Sequence, residues 1–151
     1  MGNIITINRS KLFSSVVFIG QSFGIEEEDE RALALTEVDL AKVTLWTPHQ
    51  NDKEIYVHGE ERLRRLKSVG HIRLDAMVLL ILLENQNLIP ENWKSKDISA
   101  IYFDGTVLFR RANGDRYALS LYQGVGGWRW DCLGLKHGCS HRCPSAVIVR
   151  P

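Results

Sequence analysis

The chain has 151 residues, 44% of them hydrophobic and 25% charged, with a formal net charge of +1. These values exclude wholesale disorder, and the near-neutral charge gives no overall pull toward nucleic acid or anionic lipid. The length suits a single domain over residues 1–151, with residues 1–24 partly irregular, and can bury a core without staples.

Residues 4–7 and 16–19 are short strand candidates, broken off by Gly20 and Gly24. The opening MGNIIT fits a myristoylation pattern through Gly2 and Thr6, a short pattern that also requires a eukaryotic host. The apolar run at 16–19 is shorter than the core of a signal peptide. Glu26, Glu27, Glu28, Asp29 and Glu30 then form an acidic run leading into residues 31–35. Helix formers across 26–35 predict a short helix with its acids near the positive N-terminal end; a solvated loop is the other reading. Residues 42–47 alternate as a strand does, residues 48–53 carry turn chemistry around Asn51-Asp52, and residues 54–58 return as a second strand, giving a hairpin.

A helix is predicted over residues 60–68. Glu60 stands four before Arg64 and Glu61 four before Arg65, Leu63 and Leu66 form its apolar stripe, and Gly70 ends it. Arg62, Arg64, Arg65, Lys67 and Arg73 make a basic stretch opposite in sign to the acidic run. The two blocks either pair internally or, in the favoured reading, are separate solvated faces, since exposed ion pairs contribute little. Residues 74–85, LDAMVLLILLEN, are the only long apolar run. Asp75 is placed as N-cap, accepting from the free N–H groups of the first turn. Residues 77–83 are all apolar, so the helix must be covered on most sides, yet the run is far too short to span a bilayer. Pro90 blocks its continuation, and Leu88, Ile89 and Trp93 are expected to fold over its end.

From residue 98 the period becomes two. Strands are expected at 101–103, 107–109, 117–122 and 128–133, separated by turn signals at Asp104-Gly105, Asn113-Gly114-Asp115 and residues 124–127. The fold class is therefore α+β. A central buried helix and a shorter amphipathic helix pack on a C-terminal antiparallel β-meander of about four strands, with a preceding β-hairpin and PSAVIV as an edge strand.

The segments GEERLRRLKSVGHIRLDA, LIPENWK, IYFDGTVL, RYALSLY, GGWRWDCLGL and PSAV, in that order, resemble a group of small uncharacterised bacterial proteins of the candidate-phyla type. The resemblance runs from roughly the acidic run to near the C-terminus and rests on the IP-x-x-W-K turn, the FDGT hairpin and the PSAV ending. It implies a compact single domain and carries no activity. The chain departs from the group around residues 136–143, where a Cys/His cluster is not expected.

That cluster is Cys132, His137, Cys139, His141 and Cys143. The last four alternate, so an extended strand would point them to one side, and thiolates with imidazoles are good zinc ligands. Single-residue spacing does not close readily around one ion, unlike the usual C-x₂₋₄-C knuckle, so a polar terminal loop is favoured over structural zinc and no cofactor is expected. A nucleophile made of Cys139 or Cys143 with His137 or His141 lacks an identifiable orienting group. The run at 124–127 lacks the Lys-Ser/Thr and helix of a phosphate loop, and a wide hairpin turn explains it better. Tyr102, Phe103, Tyr117, Tyr122, Trp128 and Trp130, with Arg110, Arg111, Arg116 and Arg129 nearby, could form a stacking face for single-stranded nucleic acid; the alternative is a core face backed by solvated arginines. Asp104, Asp115 and Asp131 read as turn or strand-end residues, not as a catalytic pair.

With no complete catalytic constellation, the sequence reads as a non-catalytic binding or interaction module. A protein partner is favoured over nucleic acid, and no membrane association is expected. A zinc-stabilised protein and a single-stranded nucleic-acid binder are the alternatives. Three cysteines without a visible signal peptide point to the cytoplasm and reduced thiols.

Overall fold

The computed structural model describes residues 3–11, 13–14, 20–50 and 53–149. The strand expected at 16–19, Gly2 of the myristoylation pattern, and Asn51-Asp52 lie outside them. The elements run β1 (Ile4–Thr6), β2 (Phe23–Glu28), α1 (Glu30–Leu33), β3 (Glu37–Asp39), β4 (Thr44–Trp46) and β5 (Tyr56–His58). Then follow α2 (Gly59–Val69), β6 (Ile72–Arg73), α3 (Ala76–Glu84), β7 (Ile101–Arg110), β8 (Arg116–Gly124), β9 (Gly127–Gly134), β10 (Gly138–Ser140) and β11 (Ser145–Ile148).

Seven strands form one mixed sheet in the order β4-β11-β7-β8-β9, with β2 also on β7 and β6 also on β11. β11 runs parallel to β7, while β7, β8 and β9 form an antiparallel meander. Its turns fall at the predicted Asn113-Gly114 and residues 124–127, where Gly114 and Gly126 take the positive φ values, 74° and 87°, that glycine adopts without strain. β1 pairs β3 and β5 pairs β10 as two small ribbons.

Alternation gives this sheet two apolar faces, and each has its own cover. Ile101, Phe103, Leu108, Leu119, Leu121 and Trp128 join Val78, Leu79 and Leu82 of α3 in the main core. Ile89 and Trp93 close over the end of α3 within the same core, as expected. On the opposite face Tyr102, Val107 and Ala118 meet Leu63 of α2, Leu135 and Cys139. No side chain caps α2; instead Gly59 and Glu60 N–H groups donate to the carbonyls of His137 and Leu135 at 2.9 and 3.0 Å. A Cβ on Gly59 would fall 2.5 Å from the Leu135 oxygen, so this docking requires glycine.

Several expectations change. The arms of the expected hairpin part company: β4 pairs with β11 and β5 with β10, because both partners arrive from the far end of the sequence. The acidic run belongs mostly to strand β2, and α1 is a single turn capped by Asp29, which accepts from Arg31 N at 3.0 Å. The amphipathic helix α2, with 11 residues, is longer than the 9-residue α3. The meander has three strands, since residues 101–103 and 107–109 lie in the same strand β7, with Asp104-Gly105 inside it. PSAV is an interior strand between β4 and β7. The acidic and basic blocks do pair: Glu27 meets Lys67 at 2.6 Å, and Asp29 meets Arg73 at 3.6 Å. Arg64 takes Glu61 as its partner at 2.5 Å, while Glu60 turns to Arg116.

Candidate functional site

The densest polar chemistry sits where β7 bulges. Phe103 pairs with Leu119 of β8 and Val107 with Ala118, so Asp104, Gly105 and Thr106 have no opposite residue on β8. The three extra residues also switch which parity of β7 faces α3. At this point β7 leaves β11 on its other edge and takes up β2. A Cβ on Gly105 would lie 2.3 Å from the Arg73 oxygen and 2.6 Å from the Leu74 oxygen, an approach only glycine permits. Gly105 N donates to Leu74 O and Gly105 O accepts from Asp29 N, both at 2.8 Å, which ties the bulge to β6 and to the start of α1.

On the α2 side, Asp104 accepts from Arg62 Nη2 at 2.6 Å and from Ser145 Oγ at 2.5 Å. Arg62 and Asp104 are each 1% exposed. The guanidinium lies 3.7 Å from the Tyr102 ring centroid and also donates through Nη1 to Cys139 Sγ at 3.4 Å. Burial opposes the Arg62 charge, but the Asp104 carboxylate outweighs it and holds Arg62 firmly protonated. Burial likewise pushes the Tyr102 phenol up, against the pull of Arg62, so it stays neutral. Arg73 Nη1 donates to the Asp104 carbonyl at 3.0 Å. This half of the cluster anchors α2, β7 and β11 to one another through the terminal guanidinium nitrogens and the Ser145 hydroxyl, while Nε of Arg62 and of Arg73 is buried without a hydrogen-bond partner.

On the α3 side, the Thr106 hydroxyl accepts from Ala76 N at 2.9 Å and donates to Glu28 Oε2 at 3.0 Å. Thr106 thus serves the first turn of α3 in the role predicted for Asp75. The Asp75 side chain makes no cap bond; fully buried, it pairs with Arg9 at 2.8 Å. Burial raises the Glu28 carboxyl above its ordinary value, the Asp75 charge adds to this, and the Thr106 bond and Arg9 offset part of it. Glu28 borders a pocket of about 250 Å³ with Arg9, Lys11, Phe13, Ile25, Leu33 and Met77. Lys11, Phe13 and Met77 also line a larger groove of about 680 Å³ along α3, where Leu80 and Ile81 are only half-buried and Lys11 and Glu84 are exposed. Leu80 is therefore a groove residue, not the core position expected from the apolar run.

The five Cys/His candidates do not converge. Cys132 lies in β9 and packs toward the α3-side core. His137 follows β9 and contributes its carbonyl to α2. β10 ends at Ser140, so the alternation stops there; the His141 ring stands 5.9 Å from His49, and Cys139 faces Arg62. Among the described residues no three His, Cys, Asp or Glu side chains are grouped to hold a metal ion. Burial, with help from Asp131, pushes the Cys132 thiol up to about 12, and burial also raises Cys143, so both rest as thiols and are poor metal ligands. Residues 124–127 form a hairpin turn as expected. Asp115 is bound to Asn113 in its turn, whereas Asp131 lies within β9. Phe103, Tyr102 and Trp128 are buried, so base stacking on them would require opening the core.

Arg62, Arg9, Glu28, Thr106 and Ser145 were not singled out in the sequence as site residues. Arg62 carries the one legible signal: it stands three after Gly59 and four before Leu66, on the stripe that is buried. Comparison with protein-family models, with curated proteins and with solved structures returns no match.

Proposed function

We propose that this protein is a non-catalytic binding module that receives an apolar segment of a protein partner in the groove beside α3. One observation carries the reading: the helix with no polar face before Glu84 leaves Leu80 and Ile81 half-buried in a groove of about 680 Å³, together with Phe13 and Met77. A volume of this order suits a few inserted side chains. The exposed Lys11 and Glu84 in the lining favour a segment whose apolar stripe is flanked by an acidic and a basic residue. The cluster at the β7 bulge supports a non-catalytic role, because its charges are spent on one another inside the fold. No described helix is long and apolar enough to cross a membrane, and all three cysteines are free thiols. We place the module in the cytoplasm on that basis.

The test is selection from a displayed peptide library, followed by anisotropy titration of a selected synthetic peptide. The expected peptides carry apolar residues at i, i+3 and i+4 or i+7, and Leu80→Glu, folded by circular dichroism, weakens binding at least tenfold. Peptides that bind Leu80→Glu as tightly as the native protein overturn the assignment of this groove.

A further inference from the structure

We infer that Cys139 and Cys143 form a dithiol site, which a small-molecule disulfide such as glutathione disulfide converts to an intramolecular bridge. The inference stands independently of the groove. Residues 140–143 make a tight turn, Cys143 N donating to Ser140 O at 3.0 Å, so the two cysteines flank a reversal of the chain. The turn is pinned from outside: Ser99 N donates to Arg142 O at 2.7 Å, and Arg142 Nη2 donates to Lys96 O at 2.8 Å. Both cysteine side chains pack in the small cluster formed with Leu63, Tyr102 and Leu135. Arg62 stands over that cluster and donates to Cys139 Sγ at 3.4 Å. A charge on Cys139 also contributes to raising the Cys143 thiol. Cys132 is set apart, packed toward the core on the α3 side.

The two thiols have different access. Cys143 is half-buried and Cys139 is 3% exposed. Access therefore makes Cys143 the attacking thiol, through the minority that ionises against the effect of burial, and Cys139 the resolving one. The Cys143 thiolate attacks one sulfur of glutathione disulfide; that S–S bond breaks, one glutathione thiolate leaves, and a mixed disulfide remains on Cys143. The Cys139 sulfur, which accepts from Arg62 Nη1, then gives up its proton, attacks the Cys143 sulfur and expels the second glutathione thiolate. The protons of the two cysteines end on the two glutathiones. The protein loses two electrons and the reagent gains them.

The experiment incubates the native protein with glutathione disulfide, quenches remaining thiols by alkylation, and maps tryptic peptides by mass. Trypsin cuts after Arg142, so Cys139 and Cys143 fall on separate peptides unless a bridge joins them. The expected result is a linked pair lighter by two hydrogens, released by dithiothreitol, with Cys132 alkylated. In Cys139→Ser the same treatment should stop at glutathione on Cys143. A bridge involving Cys132, a persistent glutathione adduct on Cys143 of the native protein, or full alkylation of Cys139 and Cys143 overturns the inference.

Discussion

Replacing Asp104 by Asn tests the bulge most directly. The side chain keeps its shape and an oxygen for Ser145, but loses the charge facing Arg62. Both partners are 1% exposed and 2.6 Å apart, so the stranded guanidinium has no water to turn to. Two unit charges about 4 Å apart interact by about 4 kcal/mol at an effective dielectric constant of about 20. Breaking a buried pair from one side costs about 3–5 kcal/mol, in agreement with that figure. Against a typical stability of about 5–15 kcal/mol, the loss should lower the melting temperature by about 10 °C. Urea unfolding followed by tryptophan fluorescence measures it. The cost should largely disappear in Arg62→Met/Asp104→Leu, where neither charge remains. A loss below about 1 kcal/mol for Asp104→Asn, or a double variant as unstable as the single one, would show that the pair is not the anchor described.

Gly105→Ala should destabilise by more than about 2 kcal/mol, since the added carbon meets backbone atoms of Arg73 and Leu74 that cannot swing away; differential scanning calorimetry reads this. Leu82→Ala should cost about 3 kcal/mol by leaving a cavity beneath α3, whereas half-buried Leu80→Ala should cost about 1 kcal/mol or less, and chemical denaturation of the two side by side checks the order. Glu28→Gln should raise the melting temperature at pH 7. The native fold binds the Glu28 proton more tightly than the unfolded chain does, so the charged form weakens the fold above the raised value. That penalty fades as pH falls from the raised value toward the ordinary 4.5 and is gone below it, so the two melting curves should converge there. Arg9→Met should destabilise by about 3 kcal/mol because it strands the fully buried Asp75, and a melting temperature within 2 °C, roughly, of the native protein would contradict this.

Local signals served well where local chemistry decides the structure. The alternation of residues 117–122, the glycine turns and the Gly70 stop all sit in the fold as their side chains suggest. They failed where the deciding partner is distant. Asp104-Gly105 carries the chemistry of a two-residue turn, yet long-range bonds to Leu74 and Asp29 hold it open inside a strand. Asp75 has the residue type and position of an N-cap, but Arg9, 66 residues away, claims its carboxylate. Neither arm of the expected hairpin could reveal that β10 and β11 would claim it. The same limit hid the candidate site: Glu28 and Arg62 are unremarkable within charged runs and acquire their chemistry only from what folds onto them.

The placement of β11 bears on how the molecule is made. Residues 145–148 bridge β4 and β7, and are the last of the described strands to leave the ribosome. Until they do, β4 has no sheet neighbour among the described strands, β7 lacks one partner along its first half, and Asp104 awaits the hydroxyl of Ser145. Nascent chains that carry β7 but not yet β11 therefore have an open apolar seam through the middle of the sheet, a state suited to chaperone capture and to aggregation when translation stalls. A chain cut short before Ser145 is expected to fail by losing the strand that joins its two halves, rather than by fraying at an edge.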